Sequence, residues 1–442
     1  MSVKSKQIKV EDLAVGMFIS QLDIPWSQSP FPIQGFYIRS VEQISEIAKH
    51  SKLVFIDVVK SQSVGRWDTA DSKQKINKTA KRSVFARAPE KPNTSQRGAP
   101  PAEIKPLPIR HNRYPIELTA KKELKAAKKI QQQMLGALQT LLSQVKTERQ
   151  VDIQLCKKVG KEVVDSVLRN PDALMWVTRL QHHDEQMHRK SIQCLVWALV
   201  FGRHLGLDRK RLEILSCAML LGCIGMVDLP KELITQQSPL DAEQTKQFSM
   251  YVNYSVKALM DRGYANSALV EVVGCQQERH DGSGYPRGLK GDEICLLGKI
   301  GGLVGYFDSL LSPLHGGSPL TTTEACAQIY SLKGVKFQAQ LVDEFISAIS
   351  IYPTGSVVEL TTNEIGLIVS RHDKRKLLPK VLIIFDANGR RVARPKVIDL
   401  LARNKNRDQF IAIKKSLNAS EVDIDLAEYV DYKESSWLSM VV

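Results

Sequence analysis

Apolar and polar positions change period along the chain, and the changes divide it. Residues 8–60 alternate short extended runs at 15–20 and 53–58 with a helix-like stretch at 41–48, which predicts a small α+β domain over 1–60. Over 61–114 no apolar period survives. Ser, Lys and Arg, with prolines at 89, 92, 100, 101, 106 and 108, mark a basic Pro-rich linker. Apolar residues return at Leu124, Ala127, Met134, Leu138, Leu141 and Val145, close to a heptad seam that Gln131 interrupts. This predicts a helix over 117–147 that packs on the next domain or pairs two chains as a homodimer. Spacings of three and four then continue, so 115–350 reads as all-helical. Beyond Pro353 the period falls to two, at 356–360, 365–369 and 381–385, and Asn388-Gly389 signals a type I′ hairpin. A small β appendage over 351–405 follows, and 406–442 is left as a C-terminal tail. The fold class is mainly α, with a small domain at each end.

Composition narrows the class. The chain has 442 residues, 43% of them hydrophobic and 25% charged, enough for two or three globular domains. Its longest charge-free apolar stretch, 214–227, is too short to span a bilayer of about 30 Å, and the N-terminal residues carry no secretory signal, so a cytoplasmic protein without a membrane span is expected. Seven cysteines without a CxxC pair fit reduced thiols. The net charge of +15 is local: Lys73 to Lys129 holds 16 basic residues against four acidic ones. Such a stretch suits nucleic acid or an anionic surface, but without interleaved aromatics it reads as a solvated linker, and nucleic acid is not the expected partner.

The most specific stretch is 276–291, QQERHDGSGYPRGLKG. It resembles the signature HHExxDGxGYP of the HD-GYP family, keeping Glu278, Asp281, Gly282, Gly284, Tyr285 and Pro286. Residues 8–60 also resemble the small domain that often precedes HD-GYP domains. The resemblance implies an all-helical HD-GYP-like domain, cyclic di-GMP phosphodiesterase activity, and two or three iron or manganese ions held by His and Asp side chains.

Position by position, the implied metal ligands are replaced. Lys190 stands where the His of HSLxV would be, and Gly222 and Cys223 where the His-Asp pair would be. Tyr251 takes the later His, Gln276 and Gln277 take both histidines of HHE, and Gly305 takes the first Asp of DxFD. His188 lies two residues from Lys190, on the opposite helix face. Cys223 has no second cysteine at ligand spacing, and His182-His183 has no third ligand nearby. The expectation is therefore no metal and no cofactor. Glu278 and Asp281 are expected to cap a helix or brace the GYP loop, and Asp308 to be structural.

Two binding sites are expected instead. Lys190 with Arg279, Arg287, Lys290 and Lys299 is a candidate phosphate or cyclic di-GMP site. Against it stands a collapsed pocket filled by Gln276, Gln277 and Met226. Asp281, Gly284, Tyr285, Pro286 and Arg287 form a candidate contact surface for a signalling protein, such as a diguanylate cyclase. The resulting reading is a catalytically inactive signalling protein, an adaptor or cyclic dinucleotide receptor. Its rivals are an active phosphodiesterase with a rebuilt site and a binder of nucleic acid or anionic surfaces.

Overall fold

A computed structural model describes residues 5–14, 17–24, 36–38, 41–57, 109–111, 113–148, 151–180, 186–261, 267–372, 377–403, 411–422 and 424–429. The linker up to residue 108, His182, His183 and the chain beyond 429 lie outside the described residues.

The N-terminal domain is an antiparallel sheet of β1 (Ser5–Lys9), β2 (Phe18–Leu22) and β3 (Phe36–Tyr37), with α1 (Val41–Ala48) leading to β4 (Leu53–Asp57), in the order β1-β4-β2-β3. Ile19, Leu22, Ile38, Ile47 and Val54 form its core. Asp23 closes the sheet end: its carboxylate accepts from the Lys52 and Leu53 N–H groups, each at 2.9 Å.

The helical part opens with α2 (Ala120–Glu148), α3 (Ile153–Arg169) and α4 (Pro171–Leu180). The α2 stripe packs on α3 and α4, burying all six predicted seam residues. Gln131 is buried with them. Of the two expectations for this helix, packing on its own chain is what the stripe does. Glu123, buried on α2, fastens the layers by accepting from Arg169 Nε at 2.8 Å, Arg169 Nη2 at 2.7 Å and the Ser166 hydroxyl at 2.8 Å.

Next come α5 (Gln186–His204) and α6 (Arg209–Leu221), the short helices α7 (Lys231–Thr235), α8 (Ala242–Ser249) and α9 (Tyr251–Leu259), then α10 (Ala268–Cys275), α11 (Leu296–Leu311), α12 (Thr322–Ser331) and α13 (Ala339–Ile349). Local chemistry starts several of them. Asp152 and Asp208 cap α3 and α6 by accepting from the third N–H, and Thr321 with Glu324 forms a capping box at α12. Each such cap contributes about 1 kcal/mol. An edge-to-face chain of rings, Trp197–Phe307–Phe345–Phe201, joins α5, α11 and α13 at centroid spacings of 5.5, 5.1 and 5.2 Å.

The C-terminal sheet contains β5 (Val357–Leu360), β6 (Ile365–Ser370), β7 (Lys380–Phe385), β8 (Arg391–Asp399) and, after α14 (Leu400–Arg403), β9 (Ile413–Leu417). Its antiparallel order is β8-β7-β6-β5-β9. Two expectations change. The appendage does not end at 405, because β9 returns to pair with β5, placing Leu417 opposite Val357. The β7–β8 hairpin forms, but its turn is not type I′: of Asn388 and Gly389 only Gly389 has positive φ, +74°. Asp386 sets the loop geometry, its carboxylate accepting from Asn388 and Arg390 N–H at 2.9 Å. Among the described residues no helix is long and apolar enough to cross a membrane.

Candidate functional site

The seven positions where the resemblance implies metal ligands meet in one cavity. Helix α5 supplies Lys190, Ser191 and Cys194, and the end of α6 supplies Met219 and Gly222, followed by Cys223 and Met226. Tyr251 enters from the start of α9, Gln276 and Gln277 from the end of α10, Gly301 and Gly305 from α11, and Leu314 completes the lining. The cavity measures about 70 Å³. Its lining holds no histidine and no carboxylate.

Side chains occupy much of the space. The Gln276 amide donates from Nε2 to the Ala218 carbonyl at 2.8 Å, and a Cβ at Gly222 would meet Gln276 Oε1 at 2.3 Å. One glutamine thus fills the volume that a side chain at 222 would need. Gly305 is different, with nothing within 4 Å of a Cβ there. The Ser255 hydroxyl donates to Gly222 O at 3.2 Å and accepts from Gly225 N–H at 2.9 Å, holding the turn after α6.

Lys190 Nζ donates to Asp308 Oδ2 at 3.1 Å. Burial works against the ammonium, but the Asp308 carboxylate outweighs it and raises the pKa of Lys190 above its ordinary value. Burial pushes the Asp308 carboxyl up while Lys190 pulls it down. The thiols of Cys194 and Cys223 are both raised by burial, which keeps them protonated, and Ser191 Oγ lies 3.0 Å from Cys223 Sγ. Cys223, without a cysteine partner at ligand spacing in the sequence, thus shares the cavity lining with Cys194. The signal missed was the four-residue step from Lys190 to Cys194, which puts both on one face of α5.

The cations proposed to assist Lys190 do not gather round the cavity. Arg279 is not in the lining but stands behind it, donating to Glu278 O at 2.9 Å and to Oε1 of the lining residue Gln277 at 3.1 Å, with its guanidinium over the Tyr306 and Phe337 rings. Arg287 Nη2 lies 3.2 Å from Cys275 Sγ, and Lys299 is bound to Asp292 at 2.9 Å and Gln338 at 3.0 Å. The Lys290 stem lies over Gly282, which φ of +80° and this contact both require to be glycine. Of the five, Lys190 alone lines the cavity.

The GYP loop is braced as expected. Buried Glu278 accepts from Arg287 N–H at 2.8 Å and Leu289 N–H at 3.0 Å, and Asp281 accepts from Ser283 N–H at 2.9 Å. Gly284 fits because a Cβ would strike Gln277 O and Arg279 N, each at 2.4 Å. Within the proposed contact surface, Asp281 and Arg287 are exposed and Pro286 is half-buried, while Tyr285 packs with Met226, Leu229, Tyr251 and Val252. Tyr285 is therefore half-buried behind the cavity lining, against Met226 and Tyr251, rather than free on the outer surface.

Comparison with known proteins places these elements in sequence families. Residues 5–156 match a domain of unknown function (DUF3391), 177–341 an HD domain, and 357–424 a KOW domain associated with HD domain. The chain is 24% identical over 397 residues to cyclic di-GMP phosphodiesterase PA4108 of Pseudomonas aeruginosa, covering 89% of each protein. It is 25% identical to cyclic di-GMP phosphodiesterase PdeB of Borreliella burgdorferi over 54% of this chain and 62% of that one. With 3'3'-cGAMP-specific phosphodiesterase 2 of Vibrio cholerae it shares 28% identity over 43% of this chain and 36% of the other. Among solved structures it is similar to Bd1817, a HDG"Y"P protein from Bdellovibrio bacteriovorus, at TM-score 0.42 and 13% identity, over 77% of this chain and 98% of that one. The chain carries an HD domain, with a DUF3391 domain before it and a KOW domain associated with HD domains after it, and is similar over most of its length to a cyclic di-GMP phosphodiesterase.

Proposed function

We propose that this protein is a catalytically inactive HD-GYP relative that works in bacterial cyclic di-GMP signalling as a protein-interaction adaptor. The observation that carries this reading is the cavity itself: all seven positions where the family resemblance implies metal ligands line it, and they offer an amine, a thiol, a phenol, two amides and two glycines. Transition-metal pairs that activate water are held by imidazole and carboxylate donors. Lys190 would place an ammonium beside such metals, and the Asp308 carboxylate already binds that ammonium. The residues present do not fit a metal pair. A cavity of about 70 Å³ is also far below the roughly 300–1,000 Å³ of small-molecule sites, which favours the adaptor over a cyclic dinucleotide receptor using this pocket. Asp281 and Arg287, exposed on a braced loop, are the side chains offered to a signalling partner.

The test incubates the full chain with cyclic di-GMP and either Mn²⁺ or Fe²⁺, with the Pseudomonas relative as positive control, and separates the products by chromatography. No linear dinucleotide or GMP is expected from this chain. Turnover by this chain that is lost in Cys223→Ser would overturn the reading and establish a rebuilt active site.

A further inference from the structure

Away from the cavity, His111, His204 and Glu344 converge from three separate segments. The Nε2 atoms of both histidines lie 2.8 Å from the same oxygen, Glu344 Oε2. The imidazole centroids are 4.9 Å apart, and one ligand atom from each of the three residues lies within 4.8 Å of the others.

Contacts outside the trio hold each member in place. The chain around His111 is fixed by Arg110 N–H donating to Leu205 O at 3.0 Å, Arg113 Nη1 to Gly206 O at 3.1 Å and the Tyr114 hydroxyl to Leu207 O at 2.8 Å. Arg203 returns the contact, donating to Tyr114 O at 2.7 Å. His204 stands three residues beyond Phe201 on α5, and Glu344 is adjacent to Phe345 on α13. The Phe201–Phe345 ring contact at 5.2 Å therefore fixes the spacing of the two helices beside the trio. Convergence follows from packing that is already complete, as a preorganised ligand set requires.

We propose that His111, His204 and Glu344 form a binding site for a zinc-type divalent cation. Two neutral imidazoles and one carboxylate make a donor set with a single negative charge, and zinc is held by such sets with water in a fourth position. Zinc bonds of about 2.0–2.1 Å in a tetrahedron place ligand atoms about 3.3 Å apart, so the ion requires each 2.8 Å contact to open by about half an ångström and the two imidazole nitrogens, now within 4.8 Å, to settle at the same spacing. The bound ion would pin the chain entering α2 against α5 and α13, tying the N-terminal half of the protein to the helical domain.

The experiment uses the full chain, stripped with a chelator and dialysed, and titrates it with Zn²⁺ in competition with a chromophoric chelator. Co²⁺ is then substituted to read the visible absorption of a tetrahedral nitrogen–oxygen site. Expected are one equivalent of Zn²⁺, a raised melting temperature on adding it, and binding weakened at least about tenfold in His111→Ala, His204→Gln and Glu344→Gln. His111→Ala alters a half-exposed side chain on a loop, so loss of binding there is not loss of fold. Absence of an equivalent of bound zinc overturns the proposal. So does zinc binding that survives His111→Ala and Glu344→Gln, or that disappears in Cys223→Ser instead. A hydrogen-bonded trio without metal affinity would change the melting temperature in these variants with no dependence on zinc.

Discussion

Lys190 and Asp308 form an ion pair at 3.1 Å in which the carboxylate side chain is wholly buried and the lysine is 22% exposed. Removing one partner of such a pair leaves a buried charge uncompensated, at a cost of about 3–5 kcal/mol, whereas replacing both with apolar groups of similar size is often neutral. Lys190→Met should therefore destabilise strongly in urea titrations, and Lys190→Met with Asp308→Leu should recover most of the loss. The pH dependence has a definite sign. Without Lys190 the folded-state pKa of Asp308 lies still further above its unfolded value of 3.8, so the deficit is absent below that value and grows as pH rises. A deficit that grows on acidification would refute this account.

Two glycines in the cavity wall should respond in opposite directions. Gly305 lies within α11 with open space where a Cβ would stand, so Gly305→Ala should stabilise by about 0.5–1 kcal/mol through helix propensity. Gly222→Ala meets Gln276 and the Ala218 carbonyl, and overpacking of this kind costs about 1–3 kcal/mol. Thermal unfolding of the two variants checks the contrast, and addition of Gln276→Ala to Gly222→Ala should restore part of the loss.

Asp399 gives the C-terminal sheet an acid-sensitive fastening. Burial raises its pKa, but the hydrogen bonds from His372 at 3.0 Å and Ala402 N–H at 3.2 Å outweigh burial and hold it below 3.8. Its contribution, about 1 kcal/mol as for other capping carboxylates, is present above pH 3.8 and lost as pH falls through the depressed value. Asp399→Asn should thus be less stable than the unaltered chain at pH 6, with the two stability curves meeting below pH 3.8.

The GYP loop separates wall from surface. Tyr285→Ala should cost about 1–3 kcal/mol because the ring packs among Met226, Leu229 and Tyr251, while Arg287→Ala on the exposed side should leave the melting temperature nearly unchanged. Under the adaptor reading, Arg287→Ala weakens capture of a signalling partner without loss of fold. A stable Tyr285→Ala variant would show that the ring contributes nothing to the wall.

Much of this was readable because periodicity reports burial directly. The stripe from Leu124 to Val145 predicted a helix whose buried face it became, and the period-two runs after Pro353 became β5, β6 and β7. Motif spacing found the cavity, since Lys190, Gly222, Cys223, Tyr251, Gln276, Gln277 and Gly305 all line it. Partner identity was not readable. Arg279 and Lys299 are near Gln276 in sequence, but aromatic rings and Asp292 engage them elsewhere, and only tertiary packing decides that competition. His111, His204 and Glu344 were invisible because 93 and 140 residues separate successive members, with no local pattern to mark them. Strand β9 was missed because its burial depends on β5, which lies more than 50 residues earlier.

The interlock of Gln276 with Gly222 imposes an order on mutational change. With glutamine in place, any larger residue at 222 must displace an amide that the Ala218 carbonyl holds at 2.8 Å, so the first step through position 222 passes through a strained chain. Starting at 276 instead opens room before anything enters it. Two positions that look independent in a motif are therefore coupled in sequence space, and histidines reach both at least cost along only one of the two paths.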